Sequence, residues 1–423
     1  MKDTFTLLKL NDDLSISFGF DEFSGIFLTV VAVLFVAAAI YSVGYMKGKK
    51  HLVSYSIFLT LAGLSMTFMA FAANLFTFYL NYELMTLCSA PLVMHDRTKE
   101  AVTAGFKYLI YSFLGAYLVL FGFFVLSGRG ADFSFVLGGT GSISPDSGFL
   151  TLAVFFMILG FGVKAGMWPF HSWLTSAHPV AVSPASAILS GAVVNAGAAG
   201  IIRLLFYNLG PEFFAVSRFV TAWRILTLLT VVMGSLLAFF EPLMKKRLAY
   251  STISQMSYIL FGLSMLSPEG YDGAILQLVA HAFSKCALFM IAGIFIKVTG
   301  HVRVSDFRGI GKKHPFILAC YTVCALSMIG IPPTGGFIAK WHLLVASLET
   351  GGFVTVAGPV CLLVSALLTA AYLLPLSMKG YMPGHDFEYK NEDHKIPASC
   401  AVPIAVLTVL CVVVGIVPDL FIK

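Results

Sequence analysis

The 423-residue sequence contains few charged residues. Asp, Glu, Lys and Arg make up only 11% of it, whereas soluble proteins carry about 25%. Hydrophobic residues make up 58%. A chain of this composition has too little polar surface to cover a water-soluble fold, so we expect lipid to surround most of it. The scarcity of charge therefore excludes an ordinary soluble protein and a separate soluble domain.

Clustered cysteine is also lacking. The seven cysteines are scattered singly, and Cys320 and Cys324 have the spacing of one helix face rather than the C-x-x-C pattern of iron–sulfur or zinc sites. No basic stripe is interleaved with aromatic residues, which excludes a nucleic-acid partner. We expect no metal or cofactor in this chain, and any redox centres belong to partner subunits.

Long apolar runs are abundant. About 20 helical residues cross a hydrocarbon core of about 30 Å, and we predict an all-α membrane protein with twelve such spans in a single domain, 1–423. The first twenty residues lack the features of a cleaved signal peptide, so we expect the first span to direct insertion. The predicted spans are 24–45, 52–73, 74–94, 101–127, 150–176, 184–207, 219–240, 248–266, 273–297, 316–348, 354–378 and 399–418.

The basic residues fall mainly on alternate loops. Three groups, at 47–50, 245–247 and 303–313, carry ten of the 27 Lys and Arg residues. Loops rich in Lys and Arg remain on the inner side of a membrane. We therefore predict a multi-pass protein of a prokaryotic cell membrane with both termini on the outer side.

Two predicted spans, 150–176 and 316–348, contain glycine and proline in mid-span, and each includes one lysine, Lys164 or Lys340. Proline removes an amide donor and frees carbonyls that lipid cannot satisfy, so such breaks persist only where protein or water lines them. The sequence therefore indicates two broken helices beside a polar path.

The broken spans hold equivalent places in two blocks of five spans, 52–207 and 219–378. Each is the fourth span of its block. Because five is odd, the second block crosses the membrane in the opposite sense. We predict an inverted repeat with paired discontinuous helices, as in many secondary transporters.

Four charges lie deep inside apolar runs: Glu83, Lys164, Lys285 and Lys340. A lone ion at the bilayer centre costs roughly 2.5–3.5 kcal/mol on insertion scales, and such residues usually mark an ion path. We expect Glu83 and Lys164 to form a pair that loads and releases a proton when its spacing changes. The alternative is a static ion pair that fastens two helices.

His281 and Lys285 lie four residues apart and share one helix face. Imidazole can pass protons between lysines through water, so we predict a relay here, against the alternative of a packing histidine. Lys340 would end the relay at the second break, where freed carbonyls and water solvate it. Its alternative is snorkelling to the interface.

Three further residues are candidates for the same path. Asn195 lies in a small-residue helix and either bonds between helices or holds water in the path. Lys245 is most simply one of the basic residues that keep a loop on the inner side of the membrane. Gln255 can extend the hydrated path through an otherwise uncharged span.

Lys107, Arg203 and Arg224 lie within about two turns of a span end, so they can reach the interface. Of these three, we include only Lys107 among the auxiliary residues of the path.

Five ordered motifs resemble the antiporter-like subunit family, which supplies the proton-pumping membrane subunits of respiratory complex I, membrane-bound hydrogenases and multisubunit cation/proton antiporters. The resemblance implies that Glu83 and Lys164 form the family's acid–lysine pair, Lys285 with His281 lies on a central hydrophilic axis, and Lys340 is the terminal lysine. The motifs are Tyr82-Glu83-Leu84, Lys164 ahead of Pro169-Phe-His171-Ser-Trp173-Leu and Ala177-His178, Lys245-Lys246-Arg247-Leu-Ala-Tyr-Ser-Thr-Ile-Ser-Gln255, His281-Ala-Phe-Ser-Lys285-Cys-Ala-Leu-Phe, and Pro332-Pro333-x-x-Gly336-Phe-x-x-Lys340.

The sequence departs from the family pattern in three ways. Many members carry lysine where this chain has Asn195, and an acidic residue is usual where it has Leu243. Members commonly have fourteen spans rather than the twelve predicted here. One relay station is therefore replaced by water, or the chain is weakened as a pump.

We predict a proton-translocating subunit of a multisubunit membrane oxidoreductase, with other integral membrane subunits as partners. No nucleophile–base pair is visible, so we expect no bond chemistry in this chain itself. Two alternatives remain open: a subunit of a multisubunit Na⁺/H⁺ antiporter, and a membrane scaffold that does not pump. Glu83 is the sole deep carboxylate, which disfavours a sodium site, and Asn195 is compatible with the scaffold.

Overall fold

The computed structural model describes residues 2–10, 14–145, 148–384, 387 and 395–422. Most of them are helical. In chain order the described helices are α1 Glu22–Tyr45, α2 Leu52–Ala70, α3 Leu75–Val93, α4 Lys99–Ser127, α5 Gly148–Lys164, α6 Ser172–Val180, α7 Ser183–Asn208, α8 Pro211–Ala215, α9 Phe219–Phe240, α10 Met244–Ser264, α11 Pro268–Thr299, α12 Ile310–Lys313, α13 Pro315–Ile329, α14 Gly335–Thr350, α15 Val354–Tyr381 and α16 Ala398–Ile416.

Side chains that cap the backbone fix several helix starts. The oxygens of Asp21, Asn74, Thr98 and Ser267 accept hydrogen bonds from backbone amides in the first turns of α1, α3, α4 and α11. Such caps satisfy donors that a helix start leaves free. At the other end of α11, Gly300 adopts a left-handed conformation that terminates the helix.

Eight of the described helices are long and apolar enough to cross a membrane: α1, α2, α4, α7, α9, α11, α15 and α16. The chain is therefore a mostly helical, multi-pass membrane protein. The number of twelve spans and the inverted repeat stay predictions. Helices α3 and α10 contain more polar residues, and two of the predicted spans are each divided into two shorter helices.

Both glycine- and proline-containing stretches are interrupted. Helix α5 ends at Lys164 and α6 begins at Ser172, whereas α13 ends at Ile329 and α14 begins at Gly335. Left-handed glycines, Gly166 at φ 79° and Gly330 at φ 94°, turn the chain at these points. At the second break α14 passes so close to α13 that the Ser327 carbonyl leaves no room for a Cβ at Gly336.

Two helices form the centre of the protein. The apolar window of α7 is 100% buried and that of α11 is 94% buried, compared with 33–44% for the other six spanning candidates. Helix α7 also contains two π-helical stretches, Leu189–Val193 and Arg203–Asn208. Such wide turns occur frequently at functional sites. The outer helices carry exposed apolar side chains, which face lipid.

The N-terminal residues form an antiparallel hairpin of β1 Lys2–Lys9 and β2 Ser15–Phe20. The chain is mostly helical, as the all-α prediction states, but this short hairpin was not predicted. An analysis based on runs of about 20 apolar residues does not detect two short alternating strands. The hairpin is attached to the start of α3, where Asn74 Nδ2 donates to the Ser15 carbonyl at 2.9 Å.

Arg203 does not reach the interface, contrary to the prediction. It is 1% exposed and forms an ion pair with Asp21, which precedes α1. Its guanidinium also donates to Ser24 Oγ at 2.8 Å and lies 4.7 Å from the Tyr207 ring centre. Burial alone would raise the pKa of Asp21, but the hydrogen bonds and charge of Arg203, with those from Ser24, lower it below its ordinary value.

Candidate functional site

Lys164 is the last residue of α5 and is 1% exposed. Its amino group donates three hydrogen bonds to hydroxyls: Thr86 Oγ1 at 2.8 Å, Tyr108 OH at 3.1 Å and Ser112 Oγ at 2.8 Å. Since an ammonium group has three donors, these partners satisfy all of them. The Tyr108 ring centre also lies 4.6 Å from the amino group and adds a cation–π contact.

Glu83 lies on α3, one helical turn before Thr86, and is half-buried. The buried oxygen Oε1 finds no hydrogen-bond partner among the described residues. Glu83 and Lys164 interact electrostatically, but they form no salt bridge, because the three hydroxyls occupy the lysine. The expected pair is therefore not a direct ion pair in this structure.

Lys285 lies in the middle of α11 and is fully buried. Its amino group donates to the Leu248 carbonyl at 3.0 Å and to Ser251 Oγ at 2.7 Å. Tyr372 on α15 also donates to Ser251, at 2.8 Å. The lysine is thus held against α10 by two neutral oxygens, and Tyr372 of α15 joins this cluster through Ser251.

His281 is 1% exposed, and neither ring nitrogen has a hydrogen-bond partner among the described residues. A packed structural histidine normally satisfies at least one nitrogen. The predicted relay histidine therefore has free donor and acceptor capacity next to Lys285.

His178, at the end of α6, has the same character. It is fully buried, and both its ring nitrogens lack partners among the described residues. The ring stacks on Phe289 with centroids 4.5 Å apart, and the charges of Lys285 and Lys245 act on it. In the sequence His178 was noted only as part of a motif. Its position shortly after the first helix break was the feature that could have identified it as a candidate.

Lys340 lies on α14 and is 8% exposed. Its amino group donates to the Met328 carbonyl at 2.6 Å and the Ile329 carbonyl at 2.8 Å, which are the last two residues of α13. The negative end of the α13 dipole stabilises a cation at this place. The Tyr258 ring centre lies 4.8 Å from the same amino group. Lys340 thus bridges the two halves of the broken span and does not snorkel.

Asn195 and Gln255 are fully buried on α7 and α10. Asn195 Nδ2 donates to the Gly191 carbonyl within its own helix at 2.8 Å, and Oδ1 has no partner among the described residues. Gln255 Oε1 accepts a hydrogen bond from Gln277 Nε2 at 2.8 Å. Asn195 therefore makes no hydrogen bond to another described helix.

Lys107 and Lys245 both contact the second half of the first broken span. Lys107 donates to Ser176 Oγ on α6 at 3.0 Å, and Lys245 donates to the Ala181 carbonyl just after α6 at 2.8 Å. Both lysines are partly exposed.

A histidine–carboxylate pair joins the middle of α14 to the start of α11. His342 Nδ1 is 2.7 Å from Glu269 Oε1 at the start of α11. The two side chains are 22% and 30% exposed, so this pair reaches the protein surface two residues after Lys340.

Hydroxyl pairs connect the helices that carry these residues. Ser284, next to Lys285, donates to Ser327 on α13 at 3.1 Å, one residue before the Met328 carbonyl that binds Lys340. Between Lys164 and Lys285, the described side chains form no unbroken chain of hydrogen bonds. That interval contains the unpartnered polar atoms of Asn195 and His178.

We call the hydrogen-bond partners around Lys164, Lys285 and Lys340 their cages, and the three cages share a chemical property. A hydroxyl can either donate a hydrogen bond to a neutral amine or accept one from a charged amine. A neutral amine also keeps two N–H donors, enough for two carbonyls, so each cage accommodates the lysine in both its charged and its neutral form. A carboxylate partner would favour the charged form only. In the described part of the chain, no group of three or more His, Cys, Asp or Glu could hold a metal ion.

Two family descriptions match the sequence. Residues 72–371 match "NADH:quinone oxidoreductase/Mrp antiporter, TM", and residues 8–56 match "NADH-Ubiquinone oxidoreductase (complex I), chain 5 N-terminus". The chain is 31% identical to NADH-quinone oxidoreductase subunit N of Desulforudis audaxviator, over 94% of this chain and 81% of the relative. It is 29% identical to hydrogenase-4 component B of Escherichia coli, over 94% of this chain but only 62% of that protein.

Solved structures share the fold. A chain of the Mrp complex from Dietzia sp. superposes with a TM-score of 0.83 at 23% identity, covering 99% of this chain and 84% of that one. A chain of the archaeal membrane-bound sulfane sulfur reductase gives 0.80 at 23% identity, covering 98% and 83%. By sequence and fold, the chain belongs to the NADH:quinone oxidoreductase/Mrp antiporter family of membrane subunits.

Proposed function

We propose that the chain is a proton-translocating subunit of a multisubunit membrane complex, with a path that runs from Glu83 and Lys164 through Lys285 to Lys340. One observation carries the proposal. Three lysines are buried in the helix bundle, and among the described residues their amino groups bind only hydroxyls and backbone carbonyls. Ionisable residues inside membrane helices are costly, and they commonly mark proton or ion pathways.

The first interval of the path, from Lys164 to Lys285, depends on water. Asn195, His178 and His281 present buried polar atoms that have no partner in the described part of the chain, and such atoms normally bind ordered water. Two imidazoles in series with water can accept and release a proton without a large movement of either lysine. Asn195 would hold water in this interval, where many family members have a lysine.

In the second interval, from Lys285 to Lys340, a hydrogen bond between side chains joins the helices that carry the two lysines' neighbours. The Ser284–Ser327 hydrogen bond leads from α11 to α13, whose terminal carbonyls bind Lys340. From Lys340 the exposed pair of His342 and Glu269 offers a route to the surface.

The driving step is electrostatic. Glu83 and Lys164 interact without forming a salt bridge. At a low effective dielectric, a small change in their separation therefore changes their interaction energy by about 1 kcal/mol or more. The relatives include subunits named for NADH-quinone oxidoreductase and hydrogenase-4, and the structural neighbours come from membrane complexes. We infer that neighbouring membrane subunits supply the displacement, driven by redox chemistry or by cation movement, in a prokaryotic cell membrane.

The test is proton uptake by vesicles that contain the assembled complex, energised either by its redox substrate or by a sodium gradient. Lys285→Met should reduce uptake by at least about tenfold, because it removes the central station. Lys312→Met, at an exposed lysine in the short helix α12, is the matched control and should leave uptake within about twofold. Full uptake by an assembled Lys285→Met complex would refute the path and favour the scaffold. Uptake that requires sodium would favour the Na⁺/H⁺ antiporter.

A further inference from the structure

A cavity of about 310 Å³ opens where α2 begins, α3 ends and α4 begins. Its lining is divided by polarity. His51 and Arg97, in the loops just before α2 and α4, form what we call the rim, and Phe58 and Val102, within those two helices, form the apolar wall. The cavity therefore combines a polar rim with a hydrophobic wall.

The surroundings of the rim are basic. The short loop before α2 contributes Lys47, Lys49 and Lys50, and Lys99 begins α4. Asp96 lies 3.5 Å from Lys49 and offsets one of these charges. The excess of positive charge makes the rim complementary to an anion.

The apolar wall continues into the lipid-facing surface. Phe58 lies seven residues beyond His51, about 10 Å along the apolar helix α2. On the same helix Val53 and Ile57 are 74% and 51% exposed, and on α4 Phe106 is 58% exposed. A bound molecule with a charged head and apolar tails would contact protein along its whole length.

The backbone fixes the rim. His51 and Arg97 adopt left-handed conformations, with φ of 59° and 54°, and they are two of the three non-glycine residues with positive φ among the described residues. Such conformations are strained and persist only where the surroundings hold them. Beneath them the buried His95 ring packs edge-on against Tyr55, with centroids 5.4 Å apart. The two rim residues are therefore held in fixed positions on a packed floor.

We propose that this cavity binds the headgroup of an anionic phospholipid, with its phosphate against Arg97 and His51 and its acyl chains along Phe58 and Val102. Arginine pairs with phosphate through two parallel hydrogen bonds, and basic pockets between membrane helices suit anionic lipid headgroups. A soluble phosphate would fill only the rim and leave the apolar wall without a partner. The site is separate from the lysine path and does not depend on the proposed function.

The experiment measures thermal unfolding of the tagged chain, purified in mild detergent with the subunits that accompany it. Phosphatidylglycerol should raise the midpoint by at least about 3 °C more than phosphatidylcholine with the same acyl chains. The double variant Arg97→Gln/His51→Gln should lose more than half of that difference. Lys312→Gln, which removes a basic charge from another loop region, should retain it.

A second variant guards against misfolding of the first. Val102→Trp fills the apolar wall and leaves all rim charges in place, so it should weaken the response to phosphatidylglycerol while the protein without added lipid unfolds normally. Native mass spectrometry of the unaltered protein should show retained phosphatidylglycerol. Equal stabilisation by phosphatidylcholine, equal stabilisation by inorganic phosphate, or an undiminished response in both cavity variants would overturn the proposal.

Discussion

Lys340 binds the last two carbonyls of the helix that precedes its own, at 2.6 Å from Met328 and 2.8 Å from Ile329. One side chain therefore caps the first half of a broken span from the second half. The same atoms make Lys340 both a structural cap and the final station of the proposed path, and suitable substitutions separate the two roles.

Lys340→Met should both destabilise the protein and abolish translocation. It leaves two buried carbonyls without partners, at about 1–3 kcal/mol each, so we expect the thermal unfolding midpoint to fall by several degrees. Lys340→Arg can still donate to both carbonyls but cannot release its proton. It should unfold close to the unaltered protein yet fail to take up protons in vesicles. Normal uptake by Lys340→Arg would show that Lys340 only caps α13.

The hydroxyl cage of Lys164 should be needed for translocation. Thr86→Val and Ser112→Ala each remove one acceptor with little change in volume, at about 0.5–1.5 kcal/mol. We expect each to slow proton uptake about two- to tenfold, and the double variant to slow it more than either. Thr103→Val, at an exposed threonine on α4, is the control and should take up protons at the normal rate. A double variant with normal uptake would mean that the cage is dispensable.

His178 should behave as a path residue although the sequence analysis did not select it. His178→Gln keeps a side chain that forms hydrogen bonds but cannot carry a proton at neutral pH, so we expect uptake to fall by about tenfold without loss of assembly. His301→Gln, at an exposed histidine after α11, is the matched control. A purely structural His178 would instead give a poorly assembled complex with normal uptake per assembled unit.

The Asp21–Arg203 pair predicts a pH dependence of stability. The pKa of Asp21 is lowered in the folded protein, so the pair stabilises the fold above the ordinary aspartate pKa. That contribution is lost as the pH falls through the lowered value. Thermal unfolding of the unaltered protein between pH 7 and pH 3 should show this acid-induced loss.

Asp21→Asn tests the same pair directly. It leaves Arg203 buried without a counter-ion, so we expect it to be less stable by about 3–5 kcal/mol at pH 7. It should also lack the part of the acid-induced loss that Asp21 causes. Glu212→Gln, at an exposed carboxylate in the short helix α8, should keep both the stability and its pH dependence.

The sequence predicted the buried lysines of the candidate site, because a charged residue inside a long apolar run is costly in lipid. A lysine beside glycine and proline in an apolar run has few explanations, and Lys164 and Lys340 lie at helix breaks. What could not be predicted is which neutral groups surround them, because Thr86, Ser112 and Ser251 come from distant helices and look ordinary in sequence.

Other features escaped for different physical reasons. Arg203 lies near a span end, and only the folded chain shows that Asp21 from another segment meets it. The hairpin of β1 and β2 is too short and too mixed in polarity to stand out beside long apolar helices. His178 lacked a charged neighbour in sequence, and its proximity to Lys285 depends on how α6 returns after the break.

Gly336 sets how the relay can move. Because Gly336 has no side chain, α14 packs directly on the Ser327 carbonyl of α13. This close packing restricts movement of the two half-helices relative to each other. The far terminus of the path is then a fixed socket for Lys340. In the path that we propose, the motion that drives transfer therefore originates at the other end, at Glu83 and Lys164, so one end of the path is displaced while the other stays fixed.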